Sequence, residues 1–270
     1  MLIFKNKLFF SILYFAILLI DIVVKLNFDK IPFRLFTKPL VVVSLICFYL
    51  INNNEKSKKK YFFMIFALSF FLLGDIFLIF SEFSILFSLG MLGFVLGKLF
   101  YAFRFSNHND FNLTRLIPII IFCFIYIFIL LNIIYDNLDI YFFPVLIYLF
   151  VAMLVLQFAY LRKSGVDKKS YLIVGIGVLF SVFADTIAVL DHFYRNGIFF
   201  EKITLMLFYS ISQFLIVMGI LEEKIITDNL FSLQEIRSEN KEEKLESSTK
   251  NRKVKFNHSN IEYDNNRLEL

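Results

Sequence analysis

Eight long apolar stretches, each almost free of charged residues, limit what this 270-residue chain can fold into more than any other feature. A helix needs roughly 20 apolar residues to cross the hydrocarbon core of a bilayer. The stretches cover about residues 8–24, 35–51, 61–81, 84–103, 116–135, 141–161, 170–190 and 203–221. Because lipid offers the backbone no hydrogen bonds, such segments cross as helices. We therefore predict an all-α integral membrane protein with about eight transmembrane helices in one bundle.

The composition excludes the class of soluble globular proteins. The chain is 59% hydrophobic and 19% charged, whereas soluble domains average about 45–50% apolar and about 25% charged residues. Its net charge of +5 does not indicate nucleic-acid binding. Residues 228–270 contain 8 basic and 9 acidic residues, so the basic excess lies in the short connections between spans. Basic residues in such connections report orientation in the membrane.

The distribution of Lys and Arg predicts that orientation. Basic residues are concentrated in alternate connections, and the positive-inside rule places those connections in the cytoplasm. We expect both termini to be cytoplasmic, and the protein to lie in the cell (inner) membrane if the source is a bacterium. Residues 1–222 are predicted to form the transmembrane domain, and residues 223–270 a polar, disordered cytoplasmic tail. The oligomeric state is left open.

Ionisable residues inside the predicted spans mark the candidate functional site, because such residues are costly in a membrane. Four stand out, namely Lys38, Asp75, Lys98 and Asp185. At about 1.5 Å per residue, both aspartates lie about 9 Å below the outer end of their helices, and Lys38 about 6 Å below it. Tyr209 falls at a similar depth, with Gln213 one turn deeper. Four different spans therefore present polar groups at one level.

Several polar or small residues allow more than one interpretation. Lys98 lies near the opposite end of its span, where its long side chain either reaches the interface or contributes to the site. Asp21 is assigned to a simple i,i+4 pair with Lys25. Gly74 and Ala184, which precede the two aspartates, indicate either a four-helix repeat or close helix packing. No special role is assigned to three residues at span ends, namely Glu82, Asp191 and His192.

The order and spacing of short motifs resemble the lysoplasmalogenase (YhhN-like) family of multi-pass proteins over about residues 30–222. The motifs are Thr37-Lys38-Pro39-Leu40, Leu73-Gly74-Asp75, Gly90 followed by Gly97-Lys98-Leu99-Phe100-Tyr101, Ala184-Asp185, and Phe208-Tyr209 with Gln213. One departure is clear, since this chain has Lys98 where the family usually has a histidine.

The resemblance implies hydrolysis of the vinyl ether bond of a lysoplasmalogen to a fatty aldehyde and a glycerophospho-ethanolamine or -choline. It implies that Asp75 and Asp185 are the catalytic carboxylates and that the substrate is a lysophospholipid. Protonation of a vinyl ether carbon gives an oxocarbenium ion, so one carboxyl group is expected to be protonated and the other ionised. The expected substrate-binding residues are Lys38, Tyr209, Gln213, Lys98 and Tyr101. No cofactor or metal is expected.

A further hypothesis concerns the headgroup of the lysolipid. The residue before a proline disfavours helix, which predicts that the second span begins at Pro39 with its positive end facing the site. Together with Thr37 and Lys38, that helix start would form a phosphate-binding site.

Two other functions remain open at the level of sequence. A proton- or ion-coupled transporter would also place carboxylates within packed spans. A purely structural role would use the aspartates and Lys38 as a buried ion-pair network. The sequence contains no H-E-x-x-H metal motif and no G-x-S-x-G nucleophile motif, which disfavours metalloprotease-type and serine-hydrolase chemistry.

Overall fold

The computed structural model describes residues 2–27, 31–53, 55, 57–106, 113–194 and 201–223. These residues are almost entirely helical, and none of them belongs to a strand. The helices are α1 (Leu2–Lys5), α2 (Lys7–Asn27), α3 (Ile31–Asn52), α4 (Lys58–Ile79), α5 (Ser84–Phe105), α6 (Leu113–Ile134), α7 (Phe142–Leu161), α8 (Lys168–Phe193) and α9 (Glu201–Leu221). Short 3₁₀ turns cover Tyr135–Asn137, Asp139–Tyr141 and Arg162–Ser164.

Helices α2–α9 are each long and apolar enough to cross a membrane, which confirms the all-α prediction with eight spans. Many large apolar side chains on the outside of the bundle are exposed, among them Phe122, Phe128 and Ile140. An outer surface of this kind is what a bilayer covers. The protein is therefore a multi-pass membrane protein, and the assignment of its termini to the cytoplasm stays a prediction.

Helix α3 corrects one expectation. It begins at Ile31 and continues without interruption through Pro39, so the predicted helix start at Pro39 is wrong. Proline lacks a backbone donor and costs one helical hydrogen bond. Transmembrane helices tolerate this loss because neighbouring groups satisfy the carbonyl that is left. The positive end of the α3 dipole therefore does not lie beside Lys38, and the phosphate site built on it is not present in that form.

Glycines bring α4 against α5 and α8 against α9. A Cβ atom on Gly93 would lie 3.0 Å from the Cα atom of Gly74, and one on Gly219 would lie 2.6 Å from Cγ2 of Val174. Only glycine allows the backbones to approach this closely. The small residue before Asp75 is thus explained by close helix packing, and each aspartate lies on the first helix of a tightly packed pair.

An ion-pair cluster holds the end of α9 to the rest of the bundle. The buried Arg104 donates to Glu55 at 2.6 Å and to Glu223 at 3.0 Å, and Arg162 donates to Glu223 at 2.8 Å. Burial raises the pKa of Glu223, but Arg104 and Arg162 outweigh it and hold that pKa below its usual value. The predicted tail begins at this residue, and residues 224–270 lie outside the described part of the chain.

Candidate functional site

A cavity of about 320 Å³ lies toward the end of the bundle at which α2, α4 and α8 end and α3 begins. Seven helices contribute to its lining, namely α2, α3, α4, α5, α7, α8 and α9. Lys38, Asp75, Asp185 and Tyr209 all line it. The polar groups that sequence reasoning placed at one depth on four spans therefore meet in one cavity.

Asp75 lies on α4 and is 1% exposed. Lys38 Nζ lies 3.0 Å from its Oδ1 atom and donates to its backbone oxygen at 3.4 Å. The Tyr209 hydroxyl donates to Oδ2 at 2.9 Å. Oδ1 has an ion-pair contact with Lys38 but accepts no hydrogen bond from the described residues. One oxygen of this carboxyl group thus faces a cation, and the other accepts from a hydroxyl group.

Asp185 lies on α8 and is 5% exposed. Lys98 Nζ donates to its Oδ2 atom at 2.8 Å, and the Tyr148 hydroxyl donates to Oδ1 at 2.5 Å. An ionised carboxylate can only accept hydrogen bonds, and both oxygens of Asp185 accept one. Each oxygen of Asp185 therefore has its own donor, one of them an ammonium group.

Lys98 does not reach toward the membrane interface. It is 3% exposed, and its ammonium group also donates to the Ser181 hydroxyl at 2.9 Å. The Asp185 carboxylate and the Ser181 hydroxyl thus accept hydrogen bonds from this ammonium group inside the bundle, so its charge is solvated there and not by water at the helix end. Of the two interpretations of Lys98, the structure supports the one that connects it with the site. It lies behind Asp185 and does not itself line the cavity.

Two other predicted substrate-binding residues also fail to reach the cavity. Tyr101 and Gln213 are 1% and 2% exposed, and the Tyr101 hydroxyl donates to Gln213 Oε1 at 2.6 Å. Gln213 lies one helical turn beyond Tyr209, below the cavity. The pair satisfies two buried polar groups, and neither side chain lines the cavity; their role in substrate binding stays a prediction.

Sequence reasoning missed two residues of the site. Asp21 is 2% exposed and lines the cavity, and the Thr37 hydroxyl donates to it at 2.6 Å. Its interpretation as half of a simple pair with Lys25 was therefore too narrow, since its position within a span was itself the informative pattern. Tyr148, which holds Asp185, had no distinguishing pattern, because the chain contains 13 tyrosines.

The wall and rim of the cavity differ in chemistry. Leu78, Met91, Phe94 and Val145 belong to an apolar wall around the carboxylates. The rim is polar and includes Lys25, Arg34, Ser81, Asp191 and His192. Within the described ranges, no three His, Cys, Asp or Glu side chains lie close enough together to hold a metal ion. The cavity can thus accept an amphipathic molecule whose polar end faces the rim.

Comparison with known proteins gives a family. The profile of the YhhN family matches residues 33–220, a range that contains both aspartates and both lysines that pair with them. No curated protein and no solved structure matches the chain. Since the matched range covers well over half of the sequence, the chain belongs to the YhhN family, which includes lysoplasmalogenases.

Proposed function

We propose that this protein is a membrane hydrolase that cleaves the vinyl ether bond of lysoplasmalogens. The products are a fatty aldehyde and a glycerophospho-ethanolamine or -choline. The observation that carries the proposal is the presence of two buried carboxyl groups, Asp75 and Asp185, in one amphipathic cavity of a protein whose family includes lysoplasmalogenases.

The reaction requires a proton donor and an anionic group. Protonation of the β-carbon of the vinyl ether gives an oxocarbenium ion. Water adds to the cationic carbon and loses a proton, and the resulting hemiacetal collapses to the aldehyde and the glycerol hydroxyl. A protonated acid and an ionised carboxylate perform the corresponding steps in glycosidases.

The contacts support different roles for the two carboxyl groups. Both oxygens of Asp185 accept hydrogen bonds, from Lys98 and Tyr148, so Asp185 is the ionised group that stabilises the cation and takes the proton of the water. Asp75 accepts a hydrogen bond from Tyr209 at Oδ2, whereas its Oδ1 atom contacts Lys38 without forming a hydrogen bond, so we assign Asp75 as the proton donor. The Lys38 ammonium group then compensates the negative charge that forms on Asp75 when this residue has given up its proton.

The apolar wall contributes to the same chemistry. Phe94, Met91 and Leu78 lie around the carboxyl groups and limit the access of bulk water. In such an environment charges interact more strongly than in water, so the ionised Asp185 stabilises a developing cation effectively. The same wall accepts the start of the alkenyl chain, while the remainder of a long chain extends beyond a cavity of about 320 Å³.

The test is aldehyde release by the purified protein from lysoplasmenylethanolamine in detergent. We expect the wild type to release aldehyde and each of Asp75→Asn and Asp185→Asn to lower the rate by about 10²–10⁴-fold, the contribution typical of general acid–base groups. Asp136→Asn, an exposed carboxylate outside the cavity, serves as the matched control and should leave the rate unchanged.

The assignment of roles has its own readout. Formic acid in the buffer should partly restore the rate of Asp75→Gly, which lacks the proton donor, and not that of Asp185→Gly. Rescue in the opposite order would reverse the assignment. If the folded wild type releases no aldehyde, the hydrolase proposal is wrong. Proton-coupled uptake into proteoliposomes, with the same aspartate variants, would then test the transport alternative.

A further inference from the structure

Two basic side chains at the rim of the cavity have no part in the chemistry described above. Lys25 lies in the last turn of α2 and Arg34 in the first turn of α3, and both line the cavity at the end of the bundle where α2 ends and α3 begins. We propose that Lys25 and Arg34 bind the phosphate of a zwitterionic lysophospholipid, whose amine faces Asp191. This inference rests on the proposed function and names the headgroup subsite of the same cavity.

The charges at the rim match such a headgroup. Lys38 contacts Asp75 and Lys98 contacts Asp185, so these deeper groups are engaged with one another. Lys25 interacts electrostatically with Arg34, Lys38, Asp21 and Asp191. The rim thus brings like-charged Lys25 and Arg34 together beside acidic groups. An anion placed between two cations relieves their repulsion, and a cation placed beside an acidic rim residue is attracted to it.

The rim is therefore suited to a zwitterion. Two cations, Lys25 and Arg34, face two acids, Asp21 and Asp191, so the rim carries no net charge. A phosphate alone would add one uncompensated negative charge there, whereas a phosphoethanolamine or phosphocholine group adds none. Arg34 can hold two phosphate oxygens at once with its planar guanidinium group. Asp191 is exposed, and the ring of His192 beside it stacks on that of Phe87 with 4.0 Å between the ring centroids. The carboxylate of Asp191 is therefore accessible to the amine of the headgroup.

The spacing along the helices fits the lipid. Arg34 precedes Lys38 by four residues and Asp191 follows Asp185 by six, so the rim lies about 6–9 Å above the level of the carboxyl groups. Five bonds separate the vinyl ether oxygen from the phosphorus atom of a lysoplasmalogen. With bonds of about 1.5 Å in a zigzag chain, the two atoms are about 6 Å apart when the chain is extended. A phosphate held at the rim therefore places the vinyl ether at the level of the two aspartates.

This subsite replaces the one expected at Thr37 and Lys38. The Thr37 hydroxyl donates to Asp21, Lys38 is paired with Asp75, and α3 begins at Ile31 and not beside them. Lys25 lies outside the range that the family profile matches, residues 33–220.

The test measures binding and needs no hydrolysis. Isothermal titration in detergent compares three alkyl ethers that cannot react as vinyl ethers do: 1-alkylglycerophosphocholine, 1-alkylglycerophosphate and 1-alkylglycerol. We expect the wild type to bind the phosphocholine most tightly. Arg34→Gln and Lys25→Gln should each weaken binding of both phosphate-containing ligands by about tenfold, one charge-assisted contact, and leave binding of 1-alkylglycerol unchanged. Asp191→Asn should weaken binding of the phosphocholine alone.

Controls separate the proposal from loss of fold and from failure of the hydrolase assignment. Arg34→Lys should restore part of the affinity, and Lys59→Gln, an exposed lysine at the opposite end of the bundle, should change nothing. Inorganic phosphate should not compete at millimolar concentration if the lipid headgroup is the ligand, and competition would identify a free phosphate site instead. Equal affinity of the wild type for all three ethers would overturn the proposal, whether or not vinyl ethers are hydrolysed. The proposal would also be overturned if Arg34→Gln and Lys25→Gln weakened binding of 1-alkylglycerol as much as they weaken binding of the two phosphate-containing ligands.

Discussion

Replacement of Lys98 by methionine should destabilise the protein strongly, because it leaves Asp185 without its cation. The two side chains are 4% and 7% exposed, and their charged atoms are 2.8 Å apart. Removing one partner of a buried ion pair typically costs about 3–5 kcal/mol, since the remaining charge is then uncompensated. For a protein of this size 1 kcal/mol corresponds to about 2–4 °C in Tm, so we expect Tm to fall by about 6–20 °C.

The assay is a double-mutant cycle read by thermal unfolding in detergent. Asp185→Asn alone leaves Lys98 buried without a carboxylate and should also lower Tm. The double variant, Lys98→Met with Asp185→Asn, contains neither charge and should be more stable than either single variant. Lys59→Met, at an exposed lysine, controls for the loss of a positive charge as such.

Additivity would refute this reasoning. If Lys98→Met lowers Tm by the same amount with Asp185 and with Asn at that position, the two side chains do not stabilise each other as charges. The 2.8 Å contact would then have no energetic meaning, and the argument that Asp185 is held in its ionised form would fail with it.

Three further changes test other contacts. Tyr148→Phe removes one donor to Asp185 and should lower kcat by about 10- to 150-fold with little change in KM, since a hydrogen bond to a charged group contributes about 1.5–3 kcal/mol. Gly93→Ala should lower the free energy of unfolding by about 1–3 kcal/mol, because the new Cβ atom would meet the α4 backbone at 3.0 Å. Gly175→Ala should raise the free energy of unfolding by about 0.5–1 kcal/mol, because a Cβ atom at that position would have no neighbouring atom within 4 Å. Glu223→Gln should lower Tm at neutral pH and reduce the loss of Tm in acid.

The acid effect follows from the sign of the pKa change. The folded pKa of Glu223 lies below its usual value of 4.5, so its stabilisation is complete above that value and is lost as the pH falls through the folded pKa. We expect Tm to fall more between pH 5 and pH 3 for the wild type than for Glu223→Gln. An equal fall in both proteins would contradict the prediction. An unchanged kcat of Tyr148→Phe would contradict the prediction for Tyr148. Equal stabilities of Gly93→Ala and Gly175→Ala would contradict the prediction for the glycines.

Much of the candidate site follows from charge and helix geometry. Asp75 and Asp185 are recognisable because a carboxyl group within a span is costly, and the helical rise gives their depth. Lys38 and Tyr209 follow from the same count of residues. Tyr148 does not, because a tyrosine in an apolar span is usual and nothing in its own sequence context indicates that it faces Asp185.

Other errors came from local rules that tertiary packing overrides. The preference against helix before a proline predicted a helix start at Pro39, yet α3 passes through it. The neighbouring helices and the bilayer force the backbone to form every hydrogen bond that it can, and one missing donor does not end a span. Lys98 was ambiguous for a similar reason, since its distance from the helix end gave no information on the carboxylate across the bundle.

The sequence by itself determined the class, the eight spans and the depth of each charged residue, because length, hydropathy and a constant rise per residue are local properties. Only the tertiary structure decided which helices are neighbours and which way each side chain points around its helix axis. In a bilayer the outer surface is as apolar as much of the interior, so hydropathy distinguishes the two weakly. The pairing of Asp75 with Lys38 and of Asp185 with Lys98 joins residues that are 37 and 87 positions apart in the chain, so only the packing of the helices brings them together.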